Sequence, residues 1–140
     1  MIREYKANDL EYVMSTWYKA QLIAHPFLSN QFVEKVQVMM KDIFIPNSKT
    51  WVYEKEGELI GFIAMMDNEI GGLFVNPDQQ SNGVGSSLLK HIEKNYDTIE
   101  VEVFANNKIG LPFYYKHDFR IAKEYVHKET QEKVLRMRKK

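Results

Sequence analysis

The sequence contains no cysteine, which removes thiol nucleophiles, disulfides and cysteine-ligated zinc from consideration. No apolar run approaches the ~20 residues that a membrane-spanning helix requires. The first residues, MIREYKANDL, lack the apolar core of a signal peptide. Neither sign of charge is in excess. Nineteen basic and 19 acidic side chains cancel, which argues against a surface built for nucleic acid, since phosphate backbones need clustered Lys and Arg. These absences set the expectation of a cytoplasmic chain with no membrane and no nucleic-acid partner. A balanced charge still permits an anionic ligand, because backbone amides can hold one. No internal repeat, low-complexity stretch or linker is visible, and 140 residues suit one domain spanning 1–140.

Periodicity divides the chain. Ile2 to Tyr5 alternates as a short strand. Asn8 with Glu11 has the spacing of a capping box, and Val13, Met14, Trp17, Ala20, Gln21 and Ala24 then recur on one helical face, predicting a helix over about 9–24. Pro26 discourages helix at His25. Ser29 or Asn30 can cap a second helix over roughly 30–43, which Pro46-Asn47-Ser48 ends. From Thr50 the period becomes two. Three successive antiparallel strands are expected, turning at Lys55–Glu58 and Asp67-Asn68, with the third over Glu69–Val75. Gly71 and Gly72 inside that third strand suggest a bulge or a close approach of another group. A helix begins near Gly83 and buries Val84, Leu88, Leu89 and Ile92. Residues 98–104 alternate Ile99, Val101 and Val103 against Glu100 and Glu102, a strand with one wet face. Strand, helix and strand form a crossover with parallel strands. A helix capped near Asn106-Asn107 and ending near His117 precedes a final hairpin, Phe119–Val126 and Lys133–Arg138. The fold class is mixed α/β.

The chemical centre of the sequence is Leu73 to Lys94, a buried strand, a glycine-bearing loop and a helix. Gly83 and Gly85 permit backbone conformations and approaches that a β-carbon obstructs. The N–H groups from about Ser81 to Ser86 can converge on phosphate oxygens at a helix N-terminus. The loop lacks the Gly-Lys-Ser/Thr ending of a nucleotide-triphosphate loop and the third glycine of a dinucleotide fingerprint.

Val75-Asn76-Pro77-Asp78 followed by Gln80-x-x-Gly83-x-Gly85 resembles the coenzyme A loop of the GNAT acyltransferases, whose Arg/Gln-x-x-Gly-x-Gly/Ala pattern is met in full. Asn107, Gly110, Phe113, Tyr114 and Phe119 stand where that superfamily carries Asn-x-x-Ala-x-x-Phe-Tyr and a closing Gly-Phe, with Asp118 in place of the usual glycine. The resemblance spans the whole chain and includes His25-Pro26-Phe27-Leu28, which is similar to the small bacterial YjaB/YiaC-type N-acetyltransferases. It implies a GNAT-like acyl-CoA N-acyltransferase fold, with a splayed mixed sheet and flanking helices. It also implies acetyl-CoA as cosubstrate, held by Gln80, Ser81, Asn82, Gly83, Val84, Gly85 and Ser86. The backbone of Phe74 and Val75, together with Asn107 and Tyr114, is implied as further cosubstrate contact.

The implied reaction is attack of an amine on an acetyl thioester. Its acceptor is expected to be an amine-bearing peptide, protein or small molecule. A lysine-like amine, with a pKa near roughly 10, must first lose a proton, and the departing thiolate benefits from a proton donor. Tyr114 resembles the family's tyrosine at the donor position, and its phenol is neutral at pH 7. Glu69, opening the third strand, and His25, in the loop after the first helix, are the candidate bases. His25 and Phe27 are expected in the acceptor pocket. No metal is needed. A polyamine or antibiotic-like acceptor, and a non-catalytic CoA sensor, are the alternative functions. Monomer and homodimer are both compatible with the sequence. Pro112 interrupts the helix expected from Asn107, because it lacks an N–H and crowds the carbonyl of Lys108. That helix is therefore expected to start nearer 109–111 or to have an irregular first turn.

Overall fold

The structure, a computed structural model, describes residues 1–80 and 82–140. Its elements run β1 (Ile2–Glu4), a 3-10 turn (Ala7–Asp9), α1 (Leu10–Ala24), α2 (Asn30–Met39), a π-helical turn (Met40–Phe44) and α3 (Ile45–Asn47). Strands β2 (Lys49–Lys55), β3 (Glu58–Met66) and β4 (Glu69–Val75) follow. The second half contains a 3-10 turn (Pro77–Gln79), α4 (Val84–Glu93), β5 (Ile99–Phe104), α5 (Gly110–Lys116), β6 (Arg120–Val126) and β7 (Lys133–Lys139). The order of elements is the one expected from the periodicity.

One sheet carries the strands in the order β1-β2-β3-β4-β5-β7-β6. Every pairing is antiparallel except β4 with β5. The β2–β3 hairpin turns at Glu56 and Gly57, both with positive φ, the conformation that matches strand twist in a two-residue turn. β3, buried from Leu59 to Met65, has a core on each face. Ile60 and Ile63 join Leu88, Leu89, Ile92 and Phe119 on one side. Phe62 and Ala64 join Val13, Trp17, Val33 and Met40 on the other. The inward face of α1 consists of the residues whose spacing predicted it, with Thr16 in addition.

The feature that positions the site lies on β4. Ala64 pairs with Gly72 and Met65 with Ile70, so Gly71 is an extra residue, a bulge. Beyond it β4 leaves its parallel neighbour. Only Glu69↔Glu100 and Ile70↔Val101 are paired between β4 and β5. The two strands splay from Gly71 onward, and the gap is filled by neither.

One local expectation is corrected and one is met. The capping box does not use Asn8 and Glu11. Asp9 accepts the Lys6 backbone N–H at 2.8 Å and holds the Arg3 guanidinium through both oxygens, at 2.8 and 2.9 Å. The carboxylate thus fixes the entry to α1 to β1, a long-range tie that outweighs the local spacing. Helix α5 starts at Gly110, inside the 109–111 window expected from Pro112. Pro112 consequently falls in the first turn, where its missing N–H has no helical partner to lose. Ser29 does cap α2, its hydroxyl accepting from the N–H of Phe32 at 3.1 Å.

Asp9→Ala is expected to cost about 2 kcal/mol, the loss of a buried cap and of a charged partner. Asn8→Ala should stay within about 0.5 kcal/mol. Urea midpoints at unchanged slope measure both, and equal losses in the two variants would restore the Asn8 capping box.

Candidate active site

A cavity of about 420 Å³ runs from the 83–86 turn along β4 to α5. Its mouth is the expected phosphate loop. Gly83 caps α4 at φ +80°, a left-handed conformation that a β-carbon disfavours. The N–H groups of Val84, Gly85 and Ser86 occupy the first turn of α4 and have no partner within the helix. Gly85 meets another demand: a β-carbon there would lie 3.3 Å from the Phe113 ring, so glycine lets α4 and α5 close on each other. Ser86 Oγ is 2.9 Å from His117 Nε2, a second tie between those helices. Gln80 turns back on β4, donating from Nε2 to the Val75 carbonyl at 3.1 Å. Asn82 is exposed. Ser81 lies outside the described residues.

The backbone of β4 forms the inner wall. Asn76 N–H donates to the Ile60 carbonyl at 2.8 Å, and Val75 is paired with Gly61. In an antiparallel ladder this makes Gly61–Val75 a non-hydrogen-bonded pair and the adjoining Phe62–Phe74 pair a hydrogen-bonded one. The N–H and C=O of Phe74 therefore point at β3. Those of Leu73 and Val75 point into the splay. Of the two residues expected to offer backbone groups there, Val75 turns its N–H and C=O into the splay and Phe74 does not; Leu73 does. Phe74 still lines the cavity with its ring.

A second cavity, of about 320 Å³, is lined from α1, α2, β4, β5 and the β6–β7 hairpin. The two cavities share Leu73, Phe74, Asn107, Gly110 and Tyr114. Tyr114 is 7% exposed, and burial pushes its phenol pKa up, so it holds its proton throughout the physiological range. The turn behind it is closed by Asp118 at φ +71°, a left-handed position normally given to glycine and tolerated by aspartate. From there Phe119 N–H reaches back to the Tyr114 carbonyl at 3.0 Å.

Glu69, an expected base, sits at the start of β4 and is bonded to Arg136 at 3.3 Å. It does not line either cavity. Glu102 does. Burial, followed by the negative charge of Glu69, raises the Glu102 pKa. Arg136 lies 3.8 Å from it, and the Tyr125 hydroxyl donates to it. The sequence signal for Glu102 was its place on the wet face of β5. What made that face a cleft wall was the departure of β4.

His25 lines this second cavity, whereas Phe27, also expected there, does not. The rings of His25, Phe27 and Phe104 pack edge to face, with centroids 5.3 to 5.8 Å apart. Gln21, one turn before His25, also lines this cavity. Its Nε2 is buried without a partner among the described residues.

Comparison with known proteins follows the same lines. The model of the acetyltransferase (GNAT) domain matches residues 14–140. The chain belongs to the GNAT acetyltransferase family. It is 26% identical over 132 residues to the peptidyl-lysine N-acetyltransferase YiaC of Escherichia coli K12, covering 94% of this chain and 90% of YiaC. The solution structure of apo YjaB from Escherichia coli superposes with a TM-score of 0.87 at 22% identity, over 99% of this chain and 95% of YjaB. The PaiA N-acetyltransferase of Thermoplasma acidophilum, solved in complex with coenzyme A, gives a TM-score of 0.82 at 20% identity over 100% and 98% of the two chains. The chain thus has a GNAT fold and the activity class of that family, acetyl transfer from acetyl-CoA to an amine. No helix among the described residues is long and apolar enough to cross a membrane.

In this GNAT acetyltransferase His25 is held toward its neutral form. Burial lowers the His25 pKa from 6.5 to about 4. Its unfolded form binds a proton that the folded form refuses, so stability is complete above about pH 6.5 and falls as pH drops toward about 4. At ~1.4 kcal/mol per unit this slope amounts to about 3 kcal/mol at most. His25→Gln should remove that portion of the acid destabilisation. Urea unfolding of both proteins between pH 4 and 7 measures it, and identical pH slopes would contradict the half-buried neutral imidazole.

Proposed function

We propose that the chain acetylates a primary amine of a peptide or protein, a lysine side chain or an N-terminus, using acetyl-CoA. The observation that carries the reading is the junction of the two cavities. A long anionic thioester entering past the α4 N-terminus and an amine entering from the opposite side would meet beside Leu73, Tyr114 and Asn107. The choice of peptide or protein acceptor is supported by the similarity to YiaC, named a peptidyl-lysine acetyltransferase.

Each group then has a task. The first-turn amides of α4 hold the pyrophosphate. The Leu73 and Val75 N–H groups, turned into the splay, supply donors to the bound pantetheine and to charge developing at the thioester carbonyl. Glu102 attracts the ammonium form of the acceptor and takes its proton, directly or through water. Its raised pKa makes it a better base than an exposed carboxylate. Glu69 contributes through its charge on Glu102, and Arg136 keeps the pair of carboxylates from both being uncompensated. Tyr114, kept protonated by burial, donates to the departing thiolate.

Tyr114→Phe is expected to bind acetyl-CoA normally and to slow single-turnover transfer by about 10²–10⁴-fold. A folded variant with an unchanged single-turnover rate across pH would remove the acid role. For Glu102→Gln the expected loss is about 10²-fold in kcat/KM for the amine, with the acetyl-CoA KM nearly constant. An unaltered acidic limb of the pH–rate profile would exclude Glu102 as the base. Free-thiol release across peptides, polyamines and aminoglycoside-type amines tests the acceptor class. Transfer to small amines alone would contradict the peptide reading, and no release with any amine would favour a CoA-binding protein without transfer.

A further inference from the structure

His25 and Asn107 are 82 residues apart in sequence, yet Asn107 Nδ2 lies 3.2 Å from His25 Nε2. The direction of that hydrogen bond is fixed by the rest of Asn107. Its Oδ1 accepts the backbone N–H of Ile109 at 3.1 Å and of Gly110 at 2.8 Å. Both lone pairs of the amide oxygen are thereby used, so the amide cannot be flipped, and Nδ2 can only donate. His25 Nε2 is therefore the acceptor and the imidazole proton resides on Nδ1. A protonated His25 would set a donor against a donor.

The same amide also builds α5. Ile109 and Gly110 open that helix, and Leu111 N–H adds a bond to the Asn107 carbonyl at 3.1 Å. Asn107 supplies the cap that the Pro112-bearing first turn needs. The fit is close: a β-carbon on Gly110 would lie 2.6 Å from Asn107 Nδ2. Tyr114 is four residues after Gly110, one turn along the same helix. His25 in turn is fixed from behind by the edge-to-face rings of Phe27 and Phe104, and its N–H caps α1 on the Gln21 carbonyl at 2.8 Å.

We propose that His25 is a positioning residue: through Asn107 it ties the C-terminus of α1 to the start of α5 and so sets the place of the Tyr114 phenol. This rests on the acetyl-transfer reading and on the acid role of Tyr114. The brace couples the loop flanking the acceptor cavity to the helix carrying the proton donor. It gives the imidazole a task without proton transfer, because the nitrogen that would act as a base is occupied.

The test compares His25→Leu, which keeps bulk and removes the acceptor, with His25→Gln, whose amide oxygen can accept from Asn107. In single turnover, His25→Leu should be about ten- to a hundredfold slower, with the amine KM within about twofold of wild type. His25→Gln should recover most of the rate. In a Tyr114→Phe background, His25→Leu should cost almost nothing further, because the group it positions is gone. A raised amine KM, no rescue by Gln, or multiplicative losses in the double variant would overturn the proposal. If wild type transfers acetyl to no amine, the acetyl-transfer reading fails on its own. The brace is then judged by nitrogen chemical shifts and amide exchange. An Nδ1–H tautomer at His25, with Gly110 exchange faster in the Leu variant than in the Gln variant, supports it. An Nε2–H tautomer or equal exchange refutes it.

Discussion

The constraint on which the site depends is the short pairing of β4 with β5. Two residue pairs, Glu69↔Glu100 and Ile70↔Val101, hold these parallel strands together. The bulge at Gly71 then turns β4 away. A strand leaving its neighbour exposes N–H and C=O groups that need partners, and at Leu73 and Val75 these face the gap. Part of the demand is met inside the chain, by Gln80 on the Val75 carbonyl. The remainder is what an extended amide-bearing ligand such as pantetheine would satisfy, adding to the sheet edge as a strand does. The fold maintains this gap because both faces of the sheet are otherwise sealed, by α1 and α2 on one side and α4 with α5 on the other.

Burial around the gap sorts the ionisable groups. Tyr114 is pushed toward its protonated form, His25 toward its neutral form and Glu102 toward higher basicity, and in each case desolvation is the leading cause. The outcome differs because the charged form differs: phenolate, imidazolium and carboxylate are all penalised. A phenol held neutral where the two cavities share a wall and a carboxylate made more basic on β5 follow from one physical effect. Arg136, bonded to Glu69 and Glu100 and close to Glu102, keeps three neighbouring carboxylates compatible with a folded sheet.

Most of the architecture was legible in the sequence. Alternation located β2 to β5, and the 3.6-residue period of Val13, Trp17, Ala20 and Ala24 located α1. Gly83 and Gly85 marked the loop for reasons the structure separates: one for a left-handed φ, the other for contact with Phe113. What was not legible depended on long-range geometry. Asp9 caps the chain into α1 because Arg3 lies beside it in space. Leu73, not Phe74, turns its backbone into the splay because ladder parity is set by register against β3. Glu102 looked like one more solvent-facing carboxylate, since no local signal tells which strand will lose its neighbour. The start of α5 was ambiguous until Asn107 was seen to cap it from outside.

The central claim is that the splay of β4 receives the acetyl-CoA arm. Amide hydrogen exchange of the wild-type protein with and without acetyl-CoA tests it most directly. Binding should slow exchange at Leu73, Val75 and the first turn of α4, while Phe74, already paired with β3, changes little. Acetyl-CoA binding that protects Phe74 but leaves Leu73 and Val75 as labile as in the free protein would contradict the account.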